Sequence, residues 1–375
     1  MNRIVEIVVD GGPGAGKSSV LKRARELESE DVGIIIVPET ATEVFNAGVS
    51  PGGKYGLSNE EFQMHILFMQ IEKERWYRRI AERYKNKKIV ILLKDRSTMS
   101  GSAYLPPGQL EAMIRKLGIS VSELRDINDG VIHLVTAAIG AENSYTTANN
   151  TARTESPEKA ASLDGRTRET WIGCPHLRVI ESRADFEEKI LNTLKAIRHF
   201  AGIPRSLEIE RRFLLGYLGY SDMVVVEAPY NVKVVKVFME QVYLKHEVGK
   251  PMSRIRKRVC GGFSLYYHTQ KSGLEAGAAI EDESRINGKE YNDFFENERD
   301  ETRNVIHKRR HYFLWKNQYF ELDIFEKPER LKGLAILEIE LIDKNEPVEI
   351  PPFFYPLREV TGIEGYSTAS LAKKR

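Results

Sequence analysis

Cysteine is scarce in this chain: Cys174 and Cys260 are the two among 375 residues, far apart and without metal-ligand spacing. Their scarcity excludes a disulfide framework and a multi-thiolate metal site, and leaves free thiols in a reducing compartment as the expectation. No apolar run approaches the ~20 residues needed to span a bilayer as a helix. Charged and Gly-rich residues break any signal-peptide pattern at the N-terminus. A soluble, cytoplasmic protein is expected, with membrane contact restricted to peripheral association helped by the terminal "AKKR". An excess of one charge is also missing. The 56 basic and 54 acidic residues leave a formal net charge of +2, so no global field argues for nucleic acid as a partner.

What is present changes rhythm once. Up to about Ala201, short apolar runs alternate with helical patterns; after Arg205, strand-like alternation dominates. The phrase "HFAGIPRS" marks the change, since Gly202 can end a helix and Pro204 can block its restart. Two domains are expected, 1–203 and 206–375.

In the first, "RIVEIVVDGGPGAGKSSVLKRARELE" reads as buried strand, Gly-rich loop and helix, with P-loop spacing. Gly11, Gly12, Pro13, Gly14, Ala15, Gly16, Lys17, Ser18 and Ser19 form the loop. Its backbone N–H groups can close around phosphates, Lys17 can reach the terminal phosphates, and the Ser18 hydroxyl can ligate Mg²⁺. The fold class is therefore an α/β P-loop NTPase domain, a parallel sheet with helices on both faces. "GIIIVPET" and "KKIVILLKDRS" read as strands ending near Glu39 and near Asp95 and Arg96. Ligands bind beyond the carboxyl ends of such strands, so these side chains should face the phosphates. Asp95 can hold Mg²⁺ in the Walker B manner, and Glu39 can orient or deprotonate an attacking hydroxyl or water. Glu39 reads equally simply as a helix-capping or salt-bridging acid.

After a fourth strand, "GVIHLVTA", comes "NNTARTESPEKAASLDGRTRETW", whose helix begins around Glu155 and Pro157. Arg153 just before it, and Arg166 and Arg168 on it, can act as a lid that brings positive charge to a transferring phosphoryl group; an exposed helix face explains them as readily. Arg153 is the preferred candidate. His133 reads as a packed, hydrogen-bonded core residue. "FNAGVSPGGKYGLS" reads either as the flank of a second-substrate site or as a surface loop.

In the second domain, charges recur at period two, which places them on one face of each strand. Glu208, Glu210 and Arg212 align in "SLEIERRFLL"; Arg254, Arg256 and Arg258 in "SRIRKRV"; Thr269 and Lys271 in "YYHTQKSG"; Glu281 and Glu283 in "AIEDES". Later Lys308 aligns with Arg310, Glu321 with Asp323, and Glu338 with Glu340. One such strand is ordinary, but a series argues for a sheet curled into an antiparallel β-barrel, charged inside and covered outside by helices. That interior suits a polyanion with a metal: acids for Mg²⁺ or Mn²⁺, arginines and lysines for phosphate.

"EIERRF", "RIRKR", "TQK", "ELDIF" and "LEIEL" resemble the ordered motifs of the CYTH, or triphosphate tunnel metalloenzyme, family, and "EVTGIEGYSTASLA" resembles its C-terminal signature. The resemblance covers Leu207 to Ala372. It implies a tunnel in which Glu208, Glu210, Asp323, Glu338 and Glu340 lie on the metal side and Arg254, Arg256, Lys271 and Arg310 on the phosphates. Two positions depart from the pattern: Arg212 where a lysine is expected, and Gly365 where a basic residue often precedes the last tyrosine. "VPETAT", "DRS" and "HLVTAA" resemble AAA-type P-loop domains. The two-domain order, with "EQVYLK", "YYHTQK" and "NNTARTE", resembles the TRPL-translocation-defect proteins, which implies binding of GTP and phosphoinositide and a role in intracellular trafficking. The residues themselves do not choose between GTP and ATP. Two functions follow: a regulatory protein binding an NTP and, in its tunnel, a phosphorylated ligand such as an inositol lipid head group or triphosphate; or a bifunctional enzyme, its P-loop domain a nucleoside-type kinase and its tunnel a metal-dependent triphosphatase.

Overall fold

The computed structural model describes residues 2–145, 155–183, 185–205, 207–217, 232–247, 249–275, 278–354 and 357–374. The chain divides into two compact units, Met1–Ala201 and Gly202–Arg375. No helix among the described residues is long and apolar enough to cross a membrane.

The first unit runs β1 (Arg3–Gly11), α1 (Lys17–Ala24), β2 (Val32–Val37), α2 (Thr40–Asn46), α3 (Asn59–Glu82), β3 (Ile89–Asp95), α4 (Gln109–Lys116), α5 (Val121–Asp126), β4 (Gly130–Leu134), α6 (Pro157–Thr170), β5 (Leu177–Ile180) and α7 (Phe186–Ala201). Its five strands are all parallel, in the order β2-β3-β1-β4-β5. Strands covered on both faces need continuous apolar runs, and β3 supplies one in Val90, Ile91, Leu92 and Leu93, all fully buried. α3 covers one side by packing Ala81 and Tyr77 on Ile4, Ile35, Val90 and Leu92. β1 hands the chain to one side of the sheet and β3 to the other, which opens a crevice beyond their carboxyl ends. Helix starts follow capping chemistry: Ser58 and Glu61 form a capping box on α3, and Ser156 caps α6 ahead of Pro157.

The second unit runs β6 (Leu207–Tyr217), β7 (Val234–Tyr243), β8 (Met252–Cys260), β9 (Phe263–Glu275), β10 (Ala278–Ile286), α8 (Gly288–Asn297), β11 (Ile306–Trp315), β12 (Gln318–Lys327), β13 (Leu334–Leu341), β14 (Arg358–Glu359) and α9 (Thr368–Ala372). The order β10-β9-β8-β7-β11-β12-β13-β6 closes on itself through antiparallel pairing of β6 with β10, and β14 adds to β6. The result is an eight-stranded antiparallel barrel, the tunnel architecture that the period-two charges lead one to expect.

Register puts those charges on one face. Arg254 lies opposite Thr269 and Tyr243, Lys271 opposite Glu281, and Glu338 opposite both Arg212 and Glu321. The face is the inner one, because the apolar cluster that holds Tyr243 of β7 also takes Leu214 of β6, four strands away in either direction. The outward residues Phe213, Phe313, Phe320, Leu322, Leu337 and Ile339 form a core. Its cover differs from the expected helices: the strandless segment containing Val348, Ile350, Phe353 and Phe354 packs on it, whereas α8 covers Val242 and Ile255 through Tyr291. Inside, Tyr243, Ile306, Phe325 and Ile336 pack with Leu371 and Ala372 of α9 in an apolar plug at one end.

Candidate functional site

The buried run of β1 ends in Asp10, whose carboxylate accepts from Gly11 N–H (2.8 Å), Ser100 Oγ (2.7 Å) and Trp171 Nε1 (2.8 Å). This acid is fully buried and spoken for by structure. Gly14 and Gly16 have φ of 74° and 86°, and a Cβ there would lie 2.8 Å and 2.6 Å from the rings of Tyr145 and Phe186. Conformation and space both demand glycine. Asp164 on α6 braces the loop: its Oδ1 accepts from Gly12 N–H (3.0 Å) and Thr136 N–H (2.8 Å), and its Oδ2 lies 3.1 Å from His133 Nε2. His133 is thus the packed, hydrogen-bonded residue expected.

Asp164→Ala would strand two amide N–H groups, at about 1–3 kcal/mol for each one left buried and unsatisfied. Asp164→Asn keeps an acceptor and should lose less. Thermal melts of both variants check the order; equal melting would show that the loop does not lean on this carboxylate.

Lys17, Ser18, Glu39, Asp95 and Arg96 line one cavity of ≈ 980 Å³ in the first unit. Lys17 is buried and donates to Gly11 O (3.2 Å). Desolvation, and then Arg96, lower its pKa against the pull of Glu39, Asp95 and Asp10. Asp95 ends β3 opposite Val9, and its Oδ1 is buried without a hydrogen-bond partner. Burial pushes its carboxyl up to about 6, with Lys17 opposing and Glu39 adding to the rise. Arg96 adopts a left-handed φ of 64°, uncommon for a residue with a Cβ. From there its Nε lies 2.6 Å from Glu39, and another nitrogen donates to Tyr104 Oη at 3.2 Å. Burial would raise Glu39, but Arg96, Lys17 and a 2.6 Å hydrogen bond from Thr42 Oγ1 outweigh it and hold the carboxyl below its ordinary range. Glu39 occupies the N-cap position of α2 without capping it; of the simple readings, salt-bridging describes its contacts.

Ser18 and Ser19 open α1 as exposed residues. A bare Asp95 oxygen and the Ser18 hydroxyl on one wall fit a hard divalent cation, which takes oxygen donors. Arg166 donates to the backbone carbonyls of Ser102 and Leu105, bracing that turn. Arg153 lies outside the described residues.

In the barrel, the inward bases and acids are interleaved. Arg310 donates to both oxygens of Asp323 (2.7 Å each), to Glu338 (2.8 Å) and to Glu321, and Lys308 also holds Asp323. Arg212 bonds Glu210 (2.6 Å) and lies 3.1 Å from Glu338. Arg254 meets Glu281 at 3.0 Å, Arg256 meets Glu283, and Lys271 meets Glu208 and, at 3.3 Å, Glu281. The Arg258 guanidinium stands 5.3 Å over the Tyr312 ring. Glu340 pairs in register with Glu210.

Environment divides these acids. Burial works against ionised Asp323, but Arg310 and Lys308 hold its carboxyl far below the usual range. Burial likewise opposes Glu281, and Arg254, Lys271 and Arg256 take it down to about 2. Glu338 goes up to about 7, through burial first and the neighbouring Glu210 second. Glu208 is raised by burial and by Glu281. Among the described residues, no three His, Cys, Asp or Glu converge as a metal cluster. Magnesium, however, binds through one or two carboxylates plus substrate phosphates. Glu210 and Glu338, adjacent and mutually repelling, fit that demand; Asp323, wrapped by two cations, fits it less well.

The parallel sheet, glycine loop and crevice define a P-loop nucleotide-binding fold. Residues 6–189, nearly the whole of the first unit, match the family model of the AAA domain. No curated protein matches the chain. Among solved structures, the chain is similar to the inorganic triphosphatase NE1496, with 24% identity, 45% of this chain and 95% of that chain covered, and a TM-score of 0.30. The PH1012 protein from Pyrococcus horikoshii OT3 shows 24% identity, coverage of 37% and 80%, and a TM-score of 0.28. A putative adenylyl cyclase from Hippeastrum, described as having a dominant triphosphatase activity, shows 14% identity, coverage of 36% and 80%, and a TM-score of 0.27.

Proposed function

We propose that the chain binds a nucleoside triphosphate with Mg²⁺ in its first unit and a phosphorylated ligand inside the barrel of its second. The observation that carries the first half is the unpartnered, buried Asp95 oxygen on the same cavity wall as desolvated Lys17. Both groups are poorly served without a ligand. The loop from Gly11 to Ser19 cradles phosphate oxygens with its amides, and Lys17 neutralises the terminal phosphates. A bound Mg²⁺ would be held by Ser18 and Asp95 and would supply charge neutralisation on the β- and γ-oxygens. Glu39, kept ionised and aimed by Arg96, orients or deprotonates an attacking group.

For the barrel, the near balance of acids and bases supports a joint cargo of polyanion and divalent cation. A polyanion alone would displace carboxylates from their arginines and leave them buried and unpaired. Arg212, Arg254, Arg256, Arg258, Lys271, Lys308 and Arg310 take the phosphates; Glu208, Glu210, Glu338 and Glu340 are the main cation ligands, with Glu281, Glu283, Glu321 and Asp323 behind them. An inorganic triphosphate or a phosphoinositide head group meets these demands, and the second would bring the protein to a membrane surface and into trafficking.

Titrations with GTP, ATP, triphosphate and phosphoinositide vesicles, with and without Mg²⁺ or Mn²⁺, test both halves. The paired variant Glu208→Gln/Glu210→Gln should lose tenfold or more of barrel affinity only when the cation is present, while Arg254→Gln/Arg256→Gln should lose it in both conditions. Folded variants that bind as the parent does would sink the barrel reading.

A further inference from the structure

The lining of the cavity beside the P-loop combines two chemistries. Lys17, Glu39, Asp95 and Arg96 supply charge; α3 supplies Asn59, Phe62, Gln63, Ile66, Leu67 and Gln70, which recur at three- and four-residue steps and so share one helix face. That stripe carries no charge. Thr40 and Glu74 engage the Gln70 amide through hydrogen bonds of 2.5 and 2.8 Å. Gln63 differs: it is only 8% exposed, lines the cavity, and has no hydrogen-bond partner among the described residues. Facing the cavity, this amide has a donor and an acceptor to offer a ligand. Beside it, the rings of Phe45 and Phe62 lie 5.1 Å apart and offer an aromatic wall.

We infer that this uncharged stripe of α3 borders an acceptor site for a neutral, flat-ringed alcohol, whose hydroxyl receives the terminal phosphoryl group of the nucleotide. The inference rests on nucleotide binding at the P-loop. The P-loop lysine and the acid ending β3 mark the terminal-phosphate side of the nucleotide, and both line the same cavity as the α3 stripe. The ring packs on Phe45 and Phe62, and a donor–acceptor edge of the ring pairs with Gln63. In the transfer, the hydroxyl oxygen forms a bond to the γ-phosphorus while the bond from that phosphorus to the β,γ-bridging oxygen breaks. The electron pair leaves on the nucleoside diphosphate, and the hydroxyl proton passes to the Glu39 carboxylate. Products are a nucleoside diphosphate and a phosphate monoester.

The test uses the full chain with Mg²⁺ and γ-labelled ATP or GTP, with adenosine, guanosine, cytidine and uridine as neutral ringed probes and ribose and glycerol as ringless ones. Label should appear as the monophosphate of at least one nucleoside, with kcat/KM at least a hundredfold above that for ribose. Gln63→Leu, and separately Gln63→Met, should lower kcat/KM for that nucleoside tenfold or more while the nucleotide Kd stays unchanged. Glu39→Gln should stop transfer while leaving nucleotide bound. Nucleotide binding without label transfer to any probe, or transfer no better to nucleosides than to ribose, overturns the acceptor site alone. A Gln63 variant that weakens nucleotide binding instead also overturns it, because the cavity would then house the nucleotide's own base. Absence of nucleotide binding in the parent overturns the P-loop reading and the acceptor site with it.

Discussion

Arg310→Ala is expected to cost the second unit about 3–5 kcal/mol, the range for breaking a buried ion pair from one side. Arg310 ties three strands of the interior together, for it bonds Asp323, Glu338 and Glu321 at once. Removing it leaves Asp323 to Lys308 alone, in a place where the carboxylate is fully buried, and leaves Glu338 with Arg212 and a repelling Glu210. Urea denaturation should show an earlier second-unit transition and an unshifted first-unit transition. A companion variant sharpens the point. Arg310→Met combined with Asp323→Leu removes charge from both sides and should recover a large part of the loss, as apolar replacements of buried pairs often do. If Arg310→Ala unfolds where the parent does, the interior ion pairs contribute nothing to the barrel.

Lys17→Ala is expected to cut the stabilisation that nucleotide confers on the first unit by about half or more. At a hundredfold excess over Kd, a ligand bound only to the folded state adds about 2.7 kcal/mol. Charge-assisted phosphate contacts contribute about 1.5–3 kcal/mol each, so losing one weakens affinity tenfold or more. The same change should leave the ligand-free unit as stable as the parent or slightly more so, because Lys17 is held in a desolvated position that already disfavours its charge. Thermal melts with and without ATP or GTP separate the two effects. A variant with an undiminished nucleotide-induced shift would show that phosphate is bound elsewhere.

The architecture of both units was legible because each advertises itself locally. A strand, a loop and a helix lie within a short stretch around Gly11–Ser19, and the period-two charges of "SRIRKRV" or "LEIEL" need no partner to be seen. Asp164, by contrast, reaches Gly12 across 152 positions, and Trp171 reaches Asp10 across 161. No local spacing encodes such pairs. The acids of the barrel illustrate the same limit. Asp323 and Glu338 look alike in sequence, yet one is driven far down and the other up to about 7, because strand pairing sets one among cations and the other beside Glu210. The stripe from Asn59 to Gln70 is an intermediate case: its helical spacing is visible in the sequence, but that it lines a cavity depends on where the 24-residue α3 lies against β2 and β3.

Where the apolar cluster of Leu371 and Ala372 with Phe325 and Ile336 closes one end, the barrel is a blind well. A linear chain could then not thread it from end to end: entry and exit would share one rim, and the first group in would be the last group out. Cargo carried on a large or anchored body need commit only its tip, with the remainder staying outside. Lengthening a phosphate chain beyond the depth of the well would therefore add length outside the protein and no further inner contacts, and affinity should level off with chain length.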